Sequence, residues 1–295
     1  MVQQRIRSLL FAPGSNARIL AKVFDAGSDA VDLDLEDAVP NQFKERAREM
    51  VRDAVLSRVG KPYPRVVVRL NGPETGLAED DLDAIVQPGL WGIHLTKVPT
   101  PAAIEALDRR IERLERERGI QPSSLRIISS VDSAHLALHL PELVRAPRIY
   151  CLIVGGADFA HDLGVPVSST MAESLWTRSF AVLNSRDAGI APPLHPSGFN
   201  LNDEAAMERL LETGRQIGFQ GGIALHPKQL PIIHRVFSPT PAEVQWATEV
   251  VAAFAAAEAE GKAALQIDGR FIDYALVRQA EDILHFARDG VVRPE

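Results

Sequence analysis

Short apolar runs alternating with longer amphipathic ones constrain this 295-residue chain more than any other feature. Runs at 6–11, 31–39, 66–70, 92–95, 125–131, 149–154, 189–194 and 221–225 each read as a strand followed by a helical segment. That is the pattern of repeated βα units on a parallel sheet. Eight units close naturally into a (β/α)8 barrel, and the unbroken apolar run IYCLIV at 149–154 suits a strand buried on both faces. The run at 189–194 is the weakest, because it contains two prolines that cannot donate to a ladder.

The helical segments carry their own punctuation. Pro13-Gly14 ends the first strand, and Ser15 is the expected N-cap of a helix with Ile19, Leu20, Val23 and Phe24 on one face. A charged helix is expected over 42–55. Thr100 precedes a helix with Pro101 at its first position and an inner stripe of Ile104, Leu107, Ile111 and Leu114. Further helices are expected over 174–187 and 203–217. Past residue 237, Thr240-Pro241-Ala242-Glu243 is a capping box that opens an alanine-rich helix to about 260. A hairpin or loop over 261–273 and a last helix over 274–288 complete the chain. The expected organisation is therefore a barrel domain over 1–237 and a helical arm or lid over 238–295, packing on a neighbouring subunit.

At 46% hydrophobic residues the chain can bury a large core. A net charge of −7 argues against nucleic-acid binding, which needs a cationic face. The one cysteine, Cys151, lies inside an apolar run and reads as a core residue, so no intrachain disulfide is expected. The N-terminus lacks the apolar stretch of a signal peptide, and no run of about 18 apolar residues exists to span a membrane. The expectation is a soluble, cytoplasmic protein.

Active sites of such barrels form at the C-terminal strand ends. The stretch VDLDLEDAV at 31–39 delivers Glu36 and Asp37 there, with no opposite charge inside the stretch, so a cation, a basic group from elsewhere or water must compensate them. The blander reading is an acidic strand end favouring a helix N-terminus. Arg69 closes an apolar run and needs an anionic partner. Lys97 follows the fourth strand, Asp132 ends the fifth, and Asp158 follows Gly155-Gly156 after the sixth. The histidines His94, His135, His139, His161 and His226 share no metal-ligand spacing, and His226 reads as a structural group at a helix start.

Several stretches together resemble the citrate lyase beta subunit and CoA-ester lyase family of the HpcH/HpaI aldolase superfamily, which includes malyl-CoA and citramalyl-CoA lyases. They are RSLLFAPGS at 7–15, VDLDLEDAV at 31–39, VVVRLNG at 66–72, VGGADFAHDLG at 154–164, GFQGGIALHPKQL at 218–230, FSPTPAEV at 237–244 and GKAALQIDGRFID at 261–273. The resemblance spans nearly the whole chain. It implies a Mg2+-dependent barrel, with Mn2+ as a substitute, that cleaves or forms a carbon–carbon bond between an acyl-CoA and a 2-oxo acid. It further implies that Arg69 holds the oxo acid, that Asp158 and Asp132 ligate the metal with Asp132 bordering the substrate, and that Glu36 and Asp37 orient metal-bound water. Asp273 would be the acid/base on the arm, and Arg7 and Lys97 would contact phosphate or pantetheine. A homotrimer or hexamer is implied as well.

Three departures bear on the substrate. Asp132 in VDSA stands where the family has a Glu in an IET-like strand end, one methylene longer. Thr96-Lys97 replaces a prolyl-lysyl pair, and APPLHPSGF, with Leu194 and His195, replaces an IDG-like turn. A changed pocket is expected. Thioester hydrolysis, a pyruvate-type aldolase and an accessory binding subunit remain alternative readings.

Overall fold

A computed structural model describes residues 5–198 and 200–288. Two compact units divide the chain, one up to Ile233 and one from His234 onward. The division falls inside a helix, four residues before the expected boundary at 237.

The first unit is a closed barrel of eight parallel strands in sequence order. They are β1 (Ser8–Pro13), β2 (Ala30–Asp34), β3 (Arg65–Arg69), β4 (Gly92–Leu95), β5 (Arg126–Val131), β6 (Ile149–Val154), β7 (Leu194–His195) and β8 (Gly221–Ala224), and β1 pairs with both β2 and β8. α1 (Ala17–Val23) follows β1, α2 (Lys44–Leu56) follows β2, α3 (Ala78–Ile85) follows β3 and α4 (Pro101–Glu117) follows β4. The short α5 (Ala134–Leu138) and α6 (Leu140–Leu143) follow β5. α7 (Ala157–Asp162) and α8 (Leu175–Ala188) follow β6, α9 (Glu204–Ile217) follows β7, and α10 (Leu230–Phe237) follows β8. The prolines at 192 and 193 leave β7 two residues long, which is why the seventh run was the faintest.

Local chemistry explains most element ends. Asn16, not the expected Ser15, caps α1, because its amide oxygen accepts from the backbone N–H groups of both Arg18 and Ile19. Thr100 holds the cap position before α4, but its side chain makes no cap bond. Ile104, Ile111 and Leu114 of the expected stripe are buried. His226 caps the turn before α10, its Nδ1 accepting from Lys228 N–H while Gln229 reciprocates, so its role is structural as expected. Cys151 is fully buried, and burial pushes its thiol far up, consistent with a core residue rather than a nucleophile.

Side-chain alternation decides what faces the barrel interior. Ala30 of β2, Val67 of β3 and Ile128 of β5 join one buried cluster with Ile6, Leu9 and Leu194. Every second residue beyond them continues up the same face: Asp32 and Asp34, Arg69, Ser130 and Asp132. The sequence alternation that buries the lower barrel therefore turns polar toward its C-terminal mouth.

The second unit is a helical pair with a hairpin. α11 (Pro241–Ala259) starts at the expected capping box, with Thr240 Oγ accepting from Glu243 N–H at 3.1 Å and Thr240 N–H donating to Glu243 at 2.7 Å. β9 (Leu265–Ile267) and β10 (Arg270–Ile272) form an antiparallel hairpin, and α12 (Tyr274–Arg288) follows. Ala247, Val250, Phe254, Ile272 and Ala280 make its core. Among the described residues no helix is long and apolar enough to cross a membrane.

Candidate active site at the barrel mouth

The acidic second strand finds its compensation in basic groups from other strands. Register places Asp34 beside Arg69 and Arg69 beside His94. Arg69 donates from Nε to Asp34 Oδ1 at 2.9 Å and from Nη2 to Asp34 Oδ2, while its Nη1 lies 3.1 Å from Glu36 Oε2. Burial works against the Arg69 charge, yet Asp34 and then Glu36 outweigh it and hold the guanidinium above its ordinary value. The same guanidinium lies over the Phe11 ring, 5.4 Å from its centroid.

Lys97 completes the clamp. Its Nζ is 2.9 Å from Glu36 Oε1 and 3.3 Å from Asp37, and these partners raise its ammonium against the pull of burial. Its backbone occupies the left-handed region at φ 51°, unusual for a side chain of this size. That conformation lets its N–H donate to Asp132 Oδ2 at 2.6 Å while the side chain reaches Glu36. Glu36 is thus ion-paired on both oxygens, by Arg69 and Lys97, and Lys97 also reaches Asp37.

Behind this clamp lies a layer that the sequence did not reveal. Lys44 Nζ donates to the backbone carbonyls of Leu35 and Glu36, both at 2.7 Å, and to Asn71 Oδ1. Asn71 donates in turn to Asp81, which is fully buried and also accepts from Arg48 Nε at 2.7 Å. Burial lowers the Lys44 ammonium, and the surrounding carboxylates partly restore it. The network fixes the loop that presents Glu36. α3, which carries Asp81, gave no sequence signal strong enough to be placed.

Asp132 follows β5, and Asp158 lies in the first turn of α7 just past β6, near enough for its charge to act on Asp132. Burial raises the Asp132 carboxyl first, the charge of Asp158 raises it further, and the N–H of Lys97, its own N–H and His94 act the other way. Gly155 and Gly156, at φ +89° and +113°, turn the chain so that Asp158 enters the first turn of α7, where it is exposed. Among the described residues no three His, Cys, Asp or Glu side chains assemble as a ligand set. Two hard carboxylates that repel each other are nevertheless the usual protein share of a Mg2+ site, the remaining positions going to water and substrate oxygens. The residues present fit that ion.

A second polar cluster lies in the barrel interior. His94 Nδ1 is 2.6 Å from Asp32 Oδ2, and His94 Nε2 is 2.8 Å from Ser130 Oγ. β2 and β4 are not neighbours, so these groups meet across the interior. Alternation from Ala30 was the signal that would have placed Asp32 and Asp34 inside.

Other expected site residues lie elsewhere. Arg7 precedes β1, at the end of the barrel opposite the mouth, and its guanidinium is held by Asp29 at 2.9 Å. It does not join the mouth cluster, because an arginine at the N-terminal end of a strand faces the wrong pole of the barrel. Asp273 belongs to the second unit and caps α12, its Oδ1 accepting from the N–H groups of Ala275 and Leu276. At β7, Leu194 joins the interior cluster and His195 is buried away from the mouth. His195 donates from Nδ1 to the Pro196 carbonyl and accepts from Arg178 Nη1 at Nε2, both at 2.6 Å. A Cβ on Gly214 would stand 2.6 Å from the His195 ring, so glycine is what lets α9 pack there.

Comparison with known proteins agrees with this architecture. The citrate lyase subunit beta of Leuconostoc mesenteroides is 29% identical over 282 residues, covering 95% of this chain and 93% of that one. The L-malyl-CoA/beta-methylmalyl-CoA lyase of Cereibacter sphaeroides is 32% identical, covering 95% and 94%. The crystal structure of CitE from Mycobacterium tuberculosis in complex with magnesium, acetoacetate and coenzyme A superposes with a TM-score of 0.78 at 24% identity, covering 97% of this chain and all of that one. Residues 7–227 match the family described as HpcH/HpaI aldolase/citrate lyase, and the chain belongs to that family.

Proposed function

We propose that this protein is a Mg2+-dependent carbon–carbon lyase that cleaves or forms a 3-hydroxy acyl-CoA of the malyl-CoA or citramalyl-CoA type, with a 2-oxo acid as one product. The observation that carries this reading is the partly buried Asp132, held by the Lys97 N–H and within electrostatic reach of Asp158, beside the fixed cations Arg69 and Lys97. Asp132 and Asp158 would hold the metal, which Mn2+ could replace. When bound there, Mg2+ supplies Lewis-acid polarisation of the oxo-acid oxygens.

The chain's own groups do the rest. Arg69 is pinned by Asp34 and Glu36 through three of its five N–H groups, which leaves donors in a fixed orientation for a carboxylate or a developing oxyanion. Lys97 fixes Asp132 by its backbone, so the carboxylate needs no reorganisation when substrate arrives. Asp273, half-exposed ahead of α12, is the proposed proton carrier, acting within a homotrimer or hexamer. Support for the acyl-CoA comes from the L-malyl-CoA/beta-methylmalyl-CoA lyase relative, and for the 2-oxo acid from the citrate lyase beta subunit of M. tuberculosis solved with oxaloacetate and magnesium.

The test is a thermal-shift titration with Mg2+ and a panel of pyruvate, glyoxylate and oxaloacetate, followed by product analysis with the matching acyl-CoA. A ligand bound only by the folded state raises its stability by RT ln(1 + [L]/Kd). Stabilisation by one oxo acid that depends on Mg2+, and release of that acid from the thioester, is the expected result. Absence of any response to metal with each acid would discard the lyase in favour of an accessory binding role.

A further inference from the structure

We infer that Ser130, His94 and Asp32 form a nucleophilic relay in the floor of the mouth, able to take an acyl group from a thioester and pass it to water. This inference rests on the reading of the mouth as an acyl-CoA site. It adds a hydrolytic activity that the carbon–carbon lyase does not require.

The geometry has each part in its place. A Ser–His–Asp nucleophile is recognised by a base within hydrogen-bond reach of the hydroxyl and a carboxylate that orients the base through its other nitrogen. Here Asp32 Oδ2 meets His94 Nδ1 at 2.6 Å, and Ser130 Oγ meets Nε2 at 2.8 Å. A carboxylate at Nδ1 fixes the tautomer: Nδ1 carries the proton and Nε2 presents its lone pair to the serine hydroxyl. Asp32 is fully buried and His94 is 1% exposed, whereas Ser130 is only partly buried. The orienting groups are thus shielded and the hydroxyl is open. The Phe11 ring packs against the His94 ring in a T-shaped contact, with centroids 5.8 Å apart.

Burial makes the arrangement difficult to explain as packing. The second carboxylate oxygen of Asp32, Oδ1, has no hydrogen-bond partner among the described residues. A structural network is expected to satisfy its members, because a buried polar atom left over forfeits its hydration without a replacement. Asp32 at Nδ1 instead has the position of the carboxylate that orients a general base toward a hydroxyl at its other nitrogen. Ser130 also lies two residues before Asp132 on the same face of β5.

The step balances with water as its one co-reactant. Ser130 Oγ forms a bond to the thioester carbon as its proton passes to His94 Nε2, so the serine need not ionise beforehand. The C–S bond breaks, and the CoA thiolate takes that proton. Water then gives a proton to Nε2 and adds to the acyl carbon, and the bond to Oγ breaks as Oγ recovers the proton. The products are the free acid and CoA thiol.

The experiment treats the full-length protein with diisopropyl fluorophosphate, maps the modified peptide by mass spectrometry, and separately quantifies malate and glyoxylate released from malyl-CoA with Mg2+ present. Expected are a label on Ser130 and malate formed alongside glyoxylate. Both the label and the malate should fall by about 10^3-fold or more in Ser130→Ala and in His94→Gln. Ser130→Cys, which keeps a nucleophile in place, should retain an acyl adduct after incubation with malyl-CoA, a readout that does not depend on the alanine variant folding. Glyoxylate release with Ser130 unlabelled and no malate would leave the lyase standing and overturn the relay. Malate that forms equally well in Ser130→Ala would also overturn it. A labelled Ser130 with malate as the one product would uphold the relay and discard the lyase.

Discussion

Lys97 donates its backbone N–H to Asp132 at 2.6 Å from a left-handed conformation, so the residue that positions the candidate metal carboxylate does so at a cost in backbone strain. Its side chain turns back to Glu36, so one residue ties the ends of β2, β4 and β5 together.

That double role separates two substitutions. Lys97→Ala keeps the N–H but loses the ion pair, a loss of about 1 kcal/mol because the side chain is about one-third exposed and screened. Lys97→Gly loses the same pair yet relieves the left-handed backbone by about 1 kcal/mol. Urea unfolding should find the glycine variant at least as stable as the alanine variant, the reverse of the usual order. The opposite ranking would mean that the φ at Lys97 carries no strain.

Arg69 is the main compensation for two buried carboxylates. Asp34 and Glu36 are 2% and 4% exposed, and removing their cation leaves both charges under-paired. Arg69→Met should destabilise the protein by about 3 kcal/mol or more. Arg69→Lys should fall between the two, since an ammonium cannot reproduce the forked contact with Asp34. Denaturant midpoints measure both, and a midpoint for Arg69→Met within error of wild type would contradict the pairing.

Asp158 should serve metal binding and not folding. It is exposed, and its charge opposes that of Asp132, so Asp158→Asn removes a repulsion. In the absence of metal the variant should melt no lower than wild type, while stabilisation by Mg2+ should be lost. Gly155→Ala should behave differently. At φ +89° a Cβ is strained and would lie 3.2 Å from Ser174 Oγ, so both metal-free stability and Mg2+ affinity should drop, the former by about 1–2 kcal/mol. Calorimetric titration with Mg2+ and thermal melts distinguish the two patterns.

His195 sets an acid limit to stability. Burial, then the charge of Arg178, lowers its imidazole to about 3, with the Pro196 carbonyl opposing. In the unfolded chain it titrates near 6.5. Between those values the unfolded state binds a proton that the folded state does not, so stability falls as pH drops below about 6.5 and keeps falling toward 3. His195→Gln, which offers an amide oxygen to Arg178, should lose less stability over that window than wild type. Parallel slopes for the two proteins would place the acid sensitivity elsewhere.

The eight βα units, the C-terminal capping box and hairpin, and the placement of Arg69, Lys97, Asp132 and Asp158 at strand ends were legible from the chain. Hydrophobic periodicity and turn residues are local signals, and a strand's last residues lie at one pole of any such barrel. The same logic explains the position of Arg7. It belongs to a recognisable motif, but it stands at the start of its strand, so the barrel's polarity sends it to the other end, against Asp29.

The partners of these residues were settled by closure of the barrel. His94 contacts Asp32 across 62 positions and Ser130 across 36, and β3 lies between β2 and β4 in the wall. No local period can report such a meeting, since it depends on which way each strand faces the interior and on the register between neighbours. Hydrophobic periodicity along the chain was enough to gather acidic and basic groups at one end of a barrel. Packing across the interior selected which carboxylates are neutralised by Arg69 and Lys97 and which histidine stands between an aspartate and a serine, because charge pairing in a buried interior acts over a few ångströms of space and not along the chain.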